Sequence, residues 1–355
     1  MTTRGAITRP HGNAGAQRGF TLVELMVGVA LGLFLVAVMG TIYVGSKTTF
    51  QAQESTARLQ ENGRFAIDTI ATDLRMSGFH GCLGQARATS FTNTLDTTTA
   101  LLYDFSQPIW GSHHTGAAWS PGLLAPVAGI GPSSQGDVLV VRHPVGSGWA
   151  LTAEMTGTAQ PLTITPTSTI QKGDILLVAD CGGAAVFQAT NAAPGTGGSI
   201  DHQPGAAGVT PGVTTADLGR SYLQDASVWR MQTAVYYLAN SVRRPGQMAL
   251  WAYTAPGTNV PTQQSELVTG VERMVVRYGV DTNGDEAADQ FHTADSVAAW
   301  NTVVSARIEL LLVGPEGTVT TAPQPYVFDG QSTTPTDRRQ RTVMSLVATL
   351  RNSVP

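Results

Sequence analysis

Three groups of residues in this chain have types and spacings that chemistry can use. The first surrounds Glu24. From Phe20 to Gly45 the chain runs for 26 residues with Glu24 as the one charged side chain. A carboxylate at the centre of a membrane helix costs about 2.5–3.5 kcal/mol on insertion scales, so an acid kept in such a run calls for a cation to offset it. Gly19-Phe20 lies four residues ahead, where a basic, acid-free stretch meets the apolar run. The second group is Cys82 and Cys181, the two cysteines of the chain. An even count favours a disulfide in an oxidising compartment. Closing a loop of about 100 residues, such a bond stabilises by at most roughly 4.7 kcal/mol in the chain-entropy view. Zinc held with His80 and the His113-His114 pair is the competing reading, and it lacks the close-spaced cysteine pair that zinc sites use.

The third group is Asp281, Asn283, Asp285 and Asp289, which put side-chain oxygens at positions 1, 3, 5 and 9 of a loop. That spacing suits calcium, a hard cation that takes carboxylate and amide oxygens plus a backbone carbonyl, here that of Ala287. Two departures count against it. Glu286 stands where position 6 calls for glycine, and His292 stands where position 12 calls for a bidentate Glu. A solvated Asn-Gly hairpin turn between strands explains the same residues, and both readings stay open. No Gly-x-Ser-x-Gly or His-Glu-x-x-His occurs and the seven histidines are scattered, so an enzyme is not expected.

The elements that must hold these groups follow from patterning. At about 1.5 Å per residue the run 20–45 makes a helix of roughly 39 Å, enough to span a hydrocarbon core of about 30 Å. The helix is expected to continue through 46–78. Beyond Gly45 no proline occurs before Met76, and Leu59, Gly63, Ala66, Ile70 and Leu74 recur at helical spacing, with Phe65 and Ile67 widening the stripe. Gly45-Ser46-Lys47-Thr48 departs from a phosphate-binding loop in spacing and follows no strand. The remainder, 79–355, reads as β-structure with long loops, given 39 Gly, 19 Pro and 13% charged residues. Residues 84–136 read as loops with one or two short strands. Strands are expected at 137–142, 174–179, 184–189, 228–238, 248–253, 267–280, 303–313 and 342–350. Within them Met274, Val276 and Tyr278 share one side. Together they predict an α+β fold: a long N-terminal helix, half membrane-spanning and half amphipathic, packed on one large antiparallel sheet. Residues 191–219, rich in Ala, Gly, Pro and Thr, read as a disordered loop or a sub-domain boundary.

Residues 1–19 carry Arg4, Arg9 and Arg18 and no acid, so this end should stay cytoplasmic and everything past Lys47 should lie outside. Without those three arginines 18 Lys and Arg face 25 Asp and Glu, a formal net charge of about −7. Nucleic-acid binding has no electrostatic support.

A basic leader ending in Gly19, then Phe20-Thr21-Leu22-Val23-Glu24 and an apolar helix, resembles the class III signal of type IV prepilins. Near the other end, Ala306–Val313 and Val347–Asn352 are similar to the PilW family of minor pilins, with the J-type minor pseudopilins of type II secretion as relatives. The resemblance implies a leader, 1–19, removed by a prepilin peptidase, N-methylation of Phe20, and a Glu24 that neutralises the N-terminal ammonium of a neighbouring subunit. It implies a single-pass inner-membrane protein with its head in the periplasm, and a place in the pilus after assembly. The partners it implies are other minor pilins and the major pilin, the peptidase, the inner-membrane assembly platform, a tip adhesin and the membrane. The role it implies is a non-catalytic subunit of a priming or tip complex in pilus assembly, twitching motility and adhesion. No cofactor is required, calcium at 281–289 aside. Two alternatives stay open: a secretion pseudopilin, and a membrane-anchored adhesin or binding module that never polymerises.

Overall fold

The computed structural model describes residues 19–81, 83–84, 91–96, 101–123, 125–167, 169–255, 263–314 and 322–352. The chain divides into two compact units, 1–53 and 54–355. One helix, α1, runs from Leu22 to Met76. With no proline inside it, nothing interrupts the backbone ladder. It stops where Gly78 takes a left-handed φ of 67° and Ser77 Oγ donates to the Leu74 carbonyl at 2.7 Å, the usual way a helix end finds partners for its last carbonyls.

In the first unit the large apolar side chains of α1 are exposed, from Leu22 through Phe34 to Tyr43. The segment is long and apolar enough to cross a membrane, with a mean hydropathy of 2.5 over an 18-residue window. In the second unit the same helix has one buried stripe: Ser55, Leu59, Gly63, Ala66, Ile70, Ala71 and Leu74. The 3–4 residue spacing puts these on one face. Phe65, expected to widen that stripe, is instead 52% exposed. It sits one residue before Ala66, about 100° around the helix and off the buried face.

Two large sheets carry most of the β-structure, beside three two-stranded pairs: Phe79–His80 with Leu83–Gly84, Leu162–Thr163 with Ser199–Ile200, and Tyr326–Phe328 with Gln331–Thr333. The larger has nine strands: β1 (Phe91–Asn93), β2 (Ile109–His114), β3 (Trp119–Ser120), β4 (Val138–Ala150), β5 (Ile175–Ala179), β6 (Ala184–Gln188), β7 (Ser227–Asn240), β8 (Met248–Ala255) and β9 (Gln263–Thr269). Their order is β1-β6-β5-β7-β4-β2-β3, with β8 also paired to β7 and β9 to β8. β1 and β6 run parallel and the other pairs antiparallel. The smaller sheet holds β10 (Val271–Val280), β11 (Gln290–His292), β12 (Val303–Val313) and β13 (Arg341–Thr349), ordered β11-β10-β12-β13 and antiparallel throughout.

The single large sheet expected from the sequence is thus two, and the strand expected over 267–280 is cut at Gly270. Gly270 has φ +80°, and a Cβ there would meet the Val313 carbonyl oxygen at 2.7 Å. The chain turns at this glycine and leaves one sheet for the other. Asp137 joins the sheets again: its N–H donates to the Met274 carbonyl at 3.0 Å, and its Oδ2 accepts from Val276 N–H at 2.7 Å. Met274, Val276 and Tyr278 do share one side, in the main core with Ile70, Leu74, Leu139, Leu238 and Leu310.

Residues 191–219 are neither a disordered loop nor a boundary. They lie inside the second unit, and Ile200 and Leu218 are buried beside Phe187, Tyr222 and Val228. Residues 101–123 and 91–96 carry three strands between them, where one or two were expected.

Candidate functional site

The N-terminal group is built on the start of α1. Gly19, Phe20 and Thr21 precede the helix, outside regular secondary structure, and are exposed. Thr21 is the cap: its Oγ1 accepts from the Glu24 N–H at 3.2 Å, and its carbonyl accepts from the Leu25 N–H at 3.1 Å. Thr21-x-x-Glu24 is the spacing of a capping box, in which a hydroxyl satisfies a free amide of the first turn. Residue patterning alone missed this role of Thr21, although the Thr-x-x-Glu spacing signals it. Glu24 stands in the first turn, where the helix dipole favours a negative charge. Its side chain is exposed and has no ion pair among the described residues. A carboxylate so placed, with apolar side chains on both flanks, is available to a cation from another molecule.

A second polar feature fixes the far half of the helix to the larger sheet. Asp73 Oδ2 accepts from the Tyr236 hydroxyl of β7 and lies 3.3 Å from His143 Nε2 of β4. Burial, and then the Asp73 carboxylate, push the Tyr236 phenol far above its usual range. A phenol so raised stays a donor at any physiological pH, and a donor is what Asp73 needs. Nothing local in the sequence marks this tie, because Tyr236 lies 163 residues from Asp73.

Of the cysteines, Cys181 is disulfide-bonded, whereas Cys82 lies outside the described residues; their pairing is carried forward as a proposal. His80, weighed as a zinc ligand, is buried and stacked on Phe91 with ring centroids 4.4 Å apart. Burial lowers its pKa to about 4. His113 bonds instead to Asp137 at 2.7 Å. Among the described residues no group of three or more His, Cys, Asp or Glu is arranged to hold a metal ion.

The 281–289 loop is closed by its own donors. Asp281 Oδ1 accepts from the amides of Asn283 and Gly284 at 3.1 and 2.7 Å, and its Oδ2 accepts from Glu286 N–H at 2.9 Å. Asp289 Oδ2 accepts from the N–H and the hydroxyl of Thr282. Asn283 Nδ2 donates to Asp285 and to Asp289, both at 3.2 Å. Desolvation is the largest single effect and raises the Asp281 pKa, but the amides of Gly284, Glu286, Asn283 and Asp285 together outweigh it and hold the carboxyl below the usual range. Thr282 does the same for Asp289. Glu286, the departure from glycine at position 6, still takes a left-handed φ of 68°. The loop therefore adopts the backbone turn that a glycine would normally supply, with side chains from positions 1, 3, 5 and 9 drawn together.

Residues 235–352 match the family model of the type IV pilus-assembly protein W, and residues 15–40 match the prokaryotic N-terminal methylation motif. No curated protein matches the chain. Among solved structures it is similar to a type IV-like pilin from Thermus thermophilus, with 12% identity over 84% of this chain and 99% of that one and a TM-score of 0.35.

Proposed function

We propose that this type IV pilin-like chain of the PilW family serves as a non-catalytic subunit of the complex that primes or tips a type IV pilus. One observation carries the reading: a prepilin signal at 15–40 and a W-type segment at 235–352 stand at opposite ends of one chain. The exposed, non-helical Gly19-Phe20 peptide suits cleavage by a prepilin peptidase. Cleavage frees the amine of Phe20, which is then N-methylated. Glu24 offsets the charge of that amine on a neighbouring subunit, since two opposite charges taken out of water together each reduce the other's desolvation cost. The leader stays in the cytoplasm and the head lies in the periplasm. There Cys82 and Cys181 pair. Other minor pilins, the major pilin and the assembly platform are its partners, and the bulk of the second unit suits a tip better than a crowded shaft.

The test is deletion, followed by complementation with wild type or Glu24→Ala. Loss of surface pili and twitching, restored by wild type and not by a processed Glu24→Ala chain, is the expected result. Retained pili with blocked exoprotein release would make the chain a secretion pseudopilin. Retained pili and secretion with lost attachment would leave only an adhesin.

A further inference from the structure

β13 closes one side of the smaller sheet, paired with β12 on one edge and open on the other. Gly314 N–H donates to the Gln340 carbonyl, and Leu350 N–H donates to the Val304 carbonyl. Even-numbered residues therefore turn their amides and carbonyls toward β12. These groups alternate along a strand, so those of Val343, Ser345, Val347 and Thr349 face outward. Among the described residues the outward groups of these four have no backbone partner. The usual protection of an edge is missing as well. β13 is nine residues long, with no proline or lysine and no bulge against β12. The edge strands β1, β3 and β11 have three, two and three residues, and β9 carries a bulge.

The side chains of this edge complement a second copy of themselves. Ser345, Val347 and Thr349 are exposed, Val347 by 58%. Met344 and Leu346, on the core face, are only partly buried. Antiparallel pairing centred on Ser345 sets Ser345 against Ser345, Val343 against Val347 and Arg341 against Thr349 on one face. On the other face it sets Met344 against Leu346 and Thr342 against Ala348. β-Branched and apolar side chains meet their own kind, and no like charges are opposed. Centred on Leu346 instead, the same pairing would oppose Arg341 and Arg351.

We propose that β13 pairs with β13 of a second copy of this chain about a two-fold axis at Ser345, joining the two smaller sheets into one. This pairing keeps each face of the sheet continuous, so the axis stands normal to it and reverses the second half of α1. Gln340 Nε2 donates to Thr56 Oγ1 at 2.8 Å, and Asn352 Nδ2 donates to the Arg75 carbonyl at 3.2 Å. Between these points a Cβ on Gly63 would meet Met344 and Leu312. That half of α1 thus follows β13 in the same sense, over the gap between β12 and β13. With strands about 4.8 Å apart, the two antiparallel helices run about 10 Å apart, an ordinary packing distance. Two copies side by side in one membrane need parallel helices, so the pair suits heads carried on facing pili. That setting rests on the pilus reading, while the pairing rests on β13 alone.

The test is sedimentation of the full chain in neutral detergent, with cross-linking by a short bis-maleimide. The wild type should sediment as a dimer. Ser345→Cys should cross-link to its own copy, since opposed Cβ atoms lie about 5.5 Å apart. Thr349→Cys should not, because antiparallel pairing sets the two copies of residue 349 about 27 Å apart. Val347→Pro removes an outward amide without touching a bond to β12, and should sediment as a monomer. Ser345→Lys, which sets two lysines against each other, should do the same and covers a proline variant that does not fold. Mixing Ser345→Lys with Ser345→Glu chains should restore the dimer. A monomeric wild type, equal cross-linking at 345 and 349, or dimers undiminished in the proline and lysine variants would overturn the proposal. None of these readouts depends on leader cleavage or pilus assembly, so the pairing and the pilus assignment can fail separately.

Discussion

Leu25–Val44 and Leu59–Leu74 belong to the same helix and solve the burial problem in opposite ways. The first stretch is apolar all round and its large side chains are exposed. The second has one apolar stripe, and that stripe is covered: Ala66, Ile70 and Leu74 have no measurable exposure. A helix apolar on every side needs an apolar surrounding that its own chain does not supply. A helix with a single stripe is completed by its own sheets. The glycines divide the same way. At Gly28, Gly32, Gly40 and Gly45 an added Cβ would meet nothing within 4 Å, whereas at Gly63 it would lie 2.7 Å from Met344 Cγ. Small residues in the first stretch leave room for something else, while Gly63 lets the chain's own β13 come close.

The comparison breaks most readily at a buried position. Ile70→Ala should destabilise the chain by about 2–5 kcal/mol, through lost burial and the cavity left behind. Leu31→Ala should leave urea unfolding of the detergent-extracted chain unchanged. Tryptophan fluorescence reads both, and equal effects would remove the distinction. Gly63→Leu comes next, at about 1–3 kcal/mol, because the added side chain must displace Met344 and Leu312. Gly32→Leu should again be silent in the same assay.

A pH series sharpens the contrast, since the second unit buries His80. Burial lowers the pKa of His80 from 6.5 to about 4, so the unfolded chain takes up a proton that the folded chain refuses. Stability from this group is fully present above about pH 6.5 and declines as pH falls toward 4. His202, also lowered by burial, acts in the same direction. His80→Leu should flatten the acid limb of the melting curve; an unchanged slope would assign acid sensitivity elsewhere. The smallest expected effect is at 281–289. Calcium should raise the unfolding temperature slightly, with weak affinity of about 10⁻⁴–10⁻³ M, and Asp281→Ala plus Asp285→Ala should abolish the response. A melting temperature that ignores millimolar calcium would leave this loop an acidic turn closed by Thr282 and its own amides.

How legible each part is in the sequence depends on the range of the interaction that fixes it. The buried stripe of α1 reads directly, because its 3–4 residue spacing is local. The strands that follow Gly-Asp, at 137 and 174, show as β-branched runs for the same reason, and they flank β7 on opposite edges. Gly270 looks like one glycine within a long strand. What makes it a corner is pairing: β9 with β8 on one side, β10 with β12 on the other. Phe65 misleads because apolarity alone does not say which way a helical residue faces. The tie of Asp73 to Tyr236 joins residues far apart in sequence, and no pattern in either neighbourhood announces it. At the N-terminus the reverse holds. Gly19, Phe20 and Glu24 form a local signal that the order of residues displays in full, while their chemistry awaits other molecules.

The central claim is that Phe20, and not Met1, begins the mature protein. Intact mass of the chain extracted from its native membrane tests it directly. The expected mass is that of residues 20–355 with one added methyl group and the two hydrogens of a disulfide removed, and fragmentation should place the methyl on the Phe20 amine. A mass corresponding to residues 1–355, or a mature start at any other residue, would contradict the account.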